Sequence, residues 1–300
     1  MPNTLVHFGV QGIATRAVWR GLDVRWILLA ALLPDLPWIM NRIALSLPLG
    51  DALYAVHAYA LAQSTLAVSL ILAGALAALA ARTLATFAVL AGNCLLHLLL
   101  DAAEIKWGNG VHLLAPWSWE LLNYGVLWPE SPVVLALGLV GLGFVAVALR
   151  SAPVPAARMF HATPARASVA AFLAVVWLAL PAALSGGPYR ADNHSIRTLH
   201  EGAERPGRRV ELDRARRREL PEGDFVRTLA NEWLRLTGPK IPPGSQVSIR
   251  GEFIDRRTVA VDDFQVHPRG RLRRDGPTYV GLALFAAVWL APLARGTRRR

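Results

Sequence analysis

The chain has a single cysteine among its 300 residues, Cys94, which excludes an intrachain disulfide. It stands inside an apolar run, where a thiol reads as a small packing residue rather than a nucleophile. The opening MPNTLVHFGVQG lacks a positive stretch leading into an apolar one, so it does not read as a cleaved signal peptide. There is no internal repeat and no low-complexity tract beyond richness in Ala and Leu, which excludes a repeat architecture. Lys and Arg are missing where it matters most. Of the apolar runs at 26–47, 58–81, 84–100, 132–149, 168–184 and 279–293, only the first contains one, Arg42.

What is present is apolar: 54% of the residues are hydrophobic, more than in an average soluble chain. Spanning a bilayer needs about 20 mostly apolar residues whose backbone groups bond within the segment. One such run fits a soluble core, but six exceed what a single soluble core can hide. The runs therefore predict a polytopic helical membrane protein with about six membrane segments.

The formal net charge of +11 raises nucleic acid as a partner, but the distribution argues against it. Residues 186–278 mix 19 Lys+Arg with 14 Asp+Glu, and most other basic residues flank apolar runs. Arg16, Arg20 and Arg25, then Arg82, then Arg150, Arg158 and Arg166, and finally Arg295, Arg298, Arg299 and Arg300 all fall on one side of six crossings. The positive-inside rule makes that side cytoplasmic, in what would be a bacterial inner membrane. The loops 48–57, 101–131 and 186–278 then face outward.

The 186–278 stretch differs in kind. Period-two alternation in 245–253 and 258–267 argues for half-buried strands, and 208–214, 224–230 and 232–238 read the same way between turn signals. Five short strands suit a small OB-like barrel. Residues 224–236 also fit a helix face through Phe225, Leu229, Trp233 and Leu236, so that alternative stays open. The expected fold is mainly α. It comprises a helical membrane domain over 1–185, an extramembrane β-rich domain over 186–278, and a final transmembrane helix with a basic cytoplasmic tail over 279–300. The Pro- and Ala-rich 151–167 reads as a short cytoplasmic linker.

Ionisable residues within apolar runs mark function by default. His97 and Asp101 in HLLLD stand at i and i+4, on one helix face, at a spacing a metal ion can bridge. His57 begins the preceding run at the same level. Asp35 in LLPDLP lies between Pro34 and Pro37, which break regular helix and let a carboxylate project. His7 lies before the first run, and a simple count of crossings puts it on the opposite side from the others. Each residue alone could equally be helix glue.

The ordered set PN…H at 2–7, LLPDLP at 32–37, VHAYALAQS at 56–64, HLLLDAAE at 97–104 and GVHLLAPWS at 110–118 resembles the membrane-bound metal-dependent hydrolase family, LexA-regulated proteins of the bacterial inner membrane. The resemblance covers about residues 1–150. It implies a helical, zinc-binding membrane hydrolase with His7, Asp35, His57, His97 and Asp101 as matched ligand positions. This chain departs from the family in having Gln63 where a second histidine commonly stands, and Gln is a poor zinc ligand. Either the metal shell is smaller or Gln63 orients water. His112 falls in a variable part of the family's loop and reads as a spare ligand or a loop residue.

Mixed imidazole and carboxylate ligation suits zinc with one position open for water. Asp101 or Asp35 could instead be the general base. Trp107, Trp117 and Trp119 in the adjoining loop favour the headgroup level, so the expected substrate is a lipid-linked ester or phosphodiester among membrane lipids. The competing expectation is a noncatalytic scaffold whose outer β domain binds a partner or envelope glycan. A proton-coupled transporter is a third reading, though the chain has no pair of matching halves.

Overall fold

A computed structural model describes residues 3–150, 159–267 and 270–296. The helical part comprises α1 (Thr4–Val18), α2 (Val24–Ala30), α3 (Leu36–Ala44), α4 (Ala52–Gln63), α5 (Leu66–Ala78), α6 (Thr83–Ala102), α7 (Pro132–Arg150), α8 (Pro164–Leu184) and the short α9 (Gly186–Arg190) and α10 (Ile196–His200). A last helix, α11 (Gly270–Gly296), follows the strands.

Among the described residues four helical stretches are long and apolar enough to cross a membrane: Val24–Ala44, Thr83–Ala102, Pro132–Arg150 and Pro164–Arg190. That is fewer than the six or so membrane segments expected, and the 58–81 run and the last helix make the difference. The 58–81 run breaks at Ser64 and Thr65 into α4 and α5, bent by 67°. The Thr65 hydroxyl caps the new helix by accepting from the Val68 N–H at 3.4 Å, a local bond that competes with continuing the helix. Within 26–47, LLPDLP interrupts α2 and α3 with a 3-10 turn over Leu33–Asp35. Pro34 and Pro37 lack the amide protons a continuous helix would use. In the last helix the apolar stretch is the shorter Asp275–Leu290.

The outward faces of α7 and α8 are apolar. Leu135, Leu139 and Val147 on α7, and Phe172, Val175 and Leu178 on α8, are all exposed. A water-facing helix normally turns its polar side outward.

α1 is a regular helix inside the bundle, packed against α2, α6, α7 and α11. Its contact with α7 is close because glycines meet there. A Cβ on Gly141 would fall 1.7 Å from the Leu5 carbonyl oxygen, and one on Gly9 would fall 2.8 Å from the Gly141 Cα. Small residues that admit a neighbouring backbone are the usual device for helix packing in lipid. This contact fixes the helix that carries His7.

Five strands, β1 (Arg209–Leu220), β2 (Gly223–Arg227), β3 (Trp233–Thr237), β4 (Gln246–Phe253) and β5 (Thr258–Val266), close a barrel in the order β1-β2-β3-β5-β4. All neighbours are antiparallel except β3 and β5. Alternate residues point inward, so Val210, Val226, Leu234, Ile249, Phe253 and Val259 form the core. The helical alternative for 224–236 is not adopted. β2 and β3 pair directly, Val226 opposite Leu234, across a turn containing Asn231 at φ 69. Tyr54 of α4 joins the barrel core and donates its hydroxyl to the Leu199 carbonyl at 3.1 Å, which seats the barrel on the helical part. Of the flanking basic residues, Arg298, Arg299 and Arg300 and the linker stretch 151–158 lie outside the described residues.

Candidate metal centre

α6 presents His97 and Asp101 on one face, as their spacing requires, and α1 brings His7 against them. The His7 and His97 rings stack 3.8 Å apart and 5° from parallel. One ligand atom from each of His7, His97 and Asp101 lies within 4.8 Å of the others, and all three residues are buried. His7 Nε2 is 3.5 Å from Asp101 Oδ1, and His97 Nε2 is 3.8 Å from Asp101 Oδ2. His7 thus joins the site that a simple count of crossings places on the opposite side, because α1 lies within the bundle rather than outside it.

The tautomers follow from the partners. A carbonyl oxygen can only accept, so the Ala31 carbonyl, 2.9 Å from His97 Nδ1, fixes the proton of a neutral His97 on Nδ1. The Nε2 lone pair then points at carboxylates: Asp35 Oδ1 at 3.1 Å and Asp101 Oδ2 at 3.8 Å. A lone pair facing two carboxylates needs a positive charge between them, supplied by a proton or a cation. On His7, Nδ1 lies 3.2 Å from the Gln11 amide nitrogen, while the buried Gln11 Oε1 has no partner. Turning that amide over satisfies Oε1 with the Nδ1 proton and again frees Nε2. Both rings would then be held from behind and offer Nε2 forward, the arrangement that outer partners give to metal-bound histidines. His7 Nε2 and Asp101 Oδ1 have no hydrogen-bond partner, so the donor set fits a cation.

Asp35 is delivered by the 3-10 turn between the two prolines and is bonded to His97 rather than converging with the three. Lys106 approaches from the loop after α6, 2.9 Å from Glu104 and 3.8 Å from Asp101. Burial pushes its ammonium pKa down, but the two carboxylates more than offset that and hold it above its ordinary value.

His57 is engaged elsewhere. Its Nδ1 lies 3.1 Å from the Asn41 amide nitrogen and its Nε2 3.2 Å from His194 Nδ1. His112 stands nearby, its Nε2 2.6 Å from Asn193 Nδ2 and its ring 6.5 Å from that of His194. Burial pushes His112 down to about 4. Burial, then the charges His57 and His112 would carry, push His194 well below its ordinary value. Gln63 donates to the Tyr59 hydroxyl at 3.3 Å and the Trp177 carbonyl at 3.5 Å, so it faces α8.

Two adjoining cavities border these clusters. One of about 260 Å³ is lined by Pro34, Trp38, Asn41, Asp101, Lys106 and His112. A larger one of about 830 Å³ lies between the helices and the barrel, with Trp38, His57 and His194 in its wall. Trp38, Arg42, Leu45 and Asn109 line both.

His194 and Lys106 were not among the expected site residues. Lys106 had a weak signal in its position beside HLLLDAAE. His194 had none, because its placement depends on left-handed backbone at Asp192, His194 and Ser195, with φ of 54, 57 and 53. No family model, curated protein or solved structure matches the chain.

Proposed function

We propose that the protein is a membrane-embedded, metal-dependent hydrolase acting on a lipid-linked ester or phosphodiester near the membrane surface. The observation that carries this reading is the convergence of His7 Nε2, His97 Nε2 and the Asp101 carboxylate, with two of those buried atoms unpartnered. Two nitrogens and a carboxylate suit zinc and leave a coordination position open. A zinc ion held by His7, His97 and Asp101 would supply Lewis acidity and would bring the pKa of a bound water to near neutral.

The chain's own residues do the rest. Asp35, 3.1 Å from His97 Nε2 and outside the converging three, is the carboxylate left to take a proton. Lys106, on the wall of the smaller cavity, offers a positive charge to an oxyanion. Ala31 and Gln11 fix the two rings. The resemblance of residues 1–150 to the membrane hydrolase family supports the same reading. The four long apolar helices and the exposed apolar faces of α7 and α8 support embedding in a membrane. The barrel, read as OB-like from its five strands and closure, would then sit on the outer side of a bacterial inner membrane, with the basic clusters cytoplasmic.

Metal analysis of detergent-purified protein tests the proposal. Wild type should carry stoichiometric zinc, and the His97→Ala, Asp101→Ala double variant should carry none while keeping its helical circular dichroism. Full occupancy in the double variant overturns the assignment and favours a noncatalytic scaffold.

A further inference from the structure

The arginines of the barrel are mostly matched by acids. Arg205 meets Glu232, Arg209 meets Asp262, Arg214 meets Glu130 and Asp213, Arg217 meets Asp224, and Arg250 meets Glu211. Among the few that lack one, Arg216 and Arg227 share a place. They stand directly opposite one another in the β1/β2 ladder, and neither has an acidic partner among the described residues. Like charges at facing positions of an antiparallel pair destabilise the sheet.

Both arginines line the larger cavity, facing the helical domain. The two acids in that wall are already engaged: Glu211 by Arg250 and the Gly108 N–H, Asp213 by Arg214 and the Ser248 hydroxyl. Two further cations in the wall, Arg42 and Arg214, are held by Asp275 and Glu130. The free positive charge therefore belongs to the facing pair. One bidentate contact from each guanidinium suffices to grip the oxygens of a phosphate group.

The opposite wall indicates where the rest of the ligand goes. Arg42, Leu45 and Ser46 of the α3 end line the cavity, while Ile43 and Leu47 of the same stretch are 60% and 49% exposed. An apolar strip thus leaves the cavity beside its charged floor, which suits a molecule with a phosphate head and a hydrocarbon tail. At about 830 Å³ the space is in the size range of small-molecule sites.

We propose that this cavity binds the phosphate of a membrane lipid, gripped by Arg216 and Arg227, with its acyl chains leaving along the end of α3. The choice of a lipid as substrate rests on the hydrolase reading above. The binding itself does not, because neither arginine belongs to the metal group. Through the shared wall at Trp38, Arg42 and Asn109, the head would be held beside the cavity that reaches Asp101.

Native mass spectrometry of the full chain in neutral detergent tests this. The probes are phosphatidylglycerol, diacylglycerol with the same chains, and glycerol phosphate. Phosphatidylglycerol should bind most tightly, and an Arg216→Gln, Arg227→Gln variant should weaken it by about ten-fold or more. Arg216→Lys, Arg227→Lys should recover part of the loss. The His97→Ala variant should bind it as wild type does, so that failure of the metal reading is seen separately. Equal affinity in the glutamine variant, or equal binding of diacylglycerol, overturns the proposal. Binding of glycerol phosphate as tightly as the lipid overturns the lipid as its source.

Discussion

In the barrel, Arg205, Arg214 and Arg217 are buried, and each reaches a carboxylate at 3.0 Å or closer. In the helical part, His7, His97 and Asp101 are buried as deeply, yet His7 Nε2 and Asp101 Oδ1 are left without hydrogen bonds. A buried polar group without a partner loses its hydration with no return. The contrast separates polar groups that hold the fold from a buried group that could bind a metal ion.

The sharpest way to break the contrast is to orphan a charge on the satisfied side. Arg214 is held by Glu130 at 2.8 Å and Asp213 at 3.0 Å and has 3% of its side chain exposed. Arg214→Ala leaves two carboxylates facing each other's field, and such losses destabilise by about 3–5 kcal/mol. Thermal denaturation in detergent should show the barrel transition falling well below that of wild type. A shift within error would mean that the barrel's ion pairs are as incidental as exposed ones.

A smaller effect should come from acid. Burial pushes the Glu130 carboxyl up, but His267, its Nδ1 3.6 Å away, and the charge of Arg214 more than offset this and bring it down to about 2. Its ordinary value is 4.5, so the folded state binds its proton less readily than the unfolded chain. The stabilisation is therefore present in full above the ordinary value and is lost as pH falls from there towards 2. With solvent screening of a partly exposed group it amounts to about 1–2 kcal/mol. Glu130→Gln should flatten the stability profile across that window, and an unchanged slope would count against the assignment.

The same contrast shows which features were legible in the sequence. The HLLLD spacing placed His97 and Asp101 together because a helix leaves no other choice at i and i+4. LLPDLP announced a break at Asp35, and the alternation of 245–253 and 258–267 announced β4 and β5, since each is a local rule. His57 was grouped with the metal residues because its run begins at the same level, but its partners depend on long-range packing: Asn41 on α3 and His194, 137 residues away. Bends were also hard to see. Ser64 and Thr65 sit in a run apolar enough to read as one helix, and only their hydroxyl bonds to the carbonyls of Leu61 and Ala62 reveal the turn. The position of α1 depended on glycine contacts with α7, which a single sequence does not display.

The finest test of the contrast is Asp101→Asn, because the change keeps the shape and removes the charge. If Asp101 were helix glue, its loss should resemble that of Arg214, since Lys106 would be left with one fewer carboxylate at 3.8 Å. If instead the carboxylate is kept for a cation, the metal-free protein has little to lose: Oδ1 has no hydrogen bond, and His97 Nε2 is relieved of one facing charge. The metal-free variant should then match metal-free wild type within about 1 kcal/mol. Zinc should separate them. At 100 times its Kd a ligand of the folded state stabilises by about 2.7 kcal/mol, and that increment should appear in wild type and vanish in the variant. Thermal melts of both proteins with and without added zinc read out all four values. A variant that is already crippled without metal would return Asp101 to the structural side.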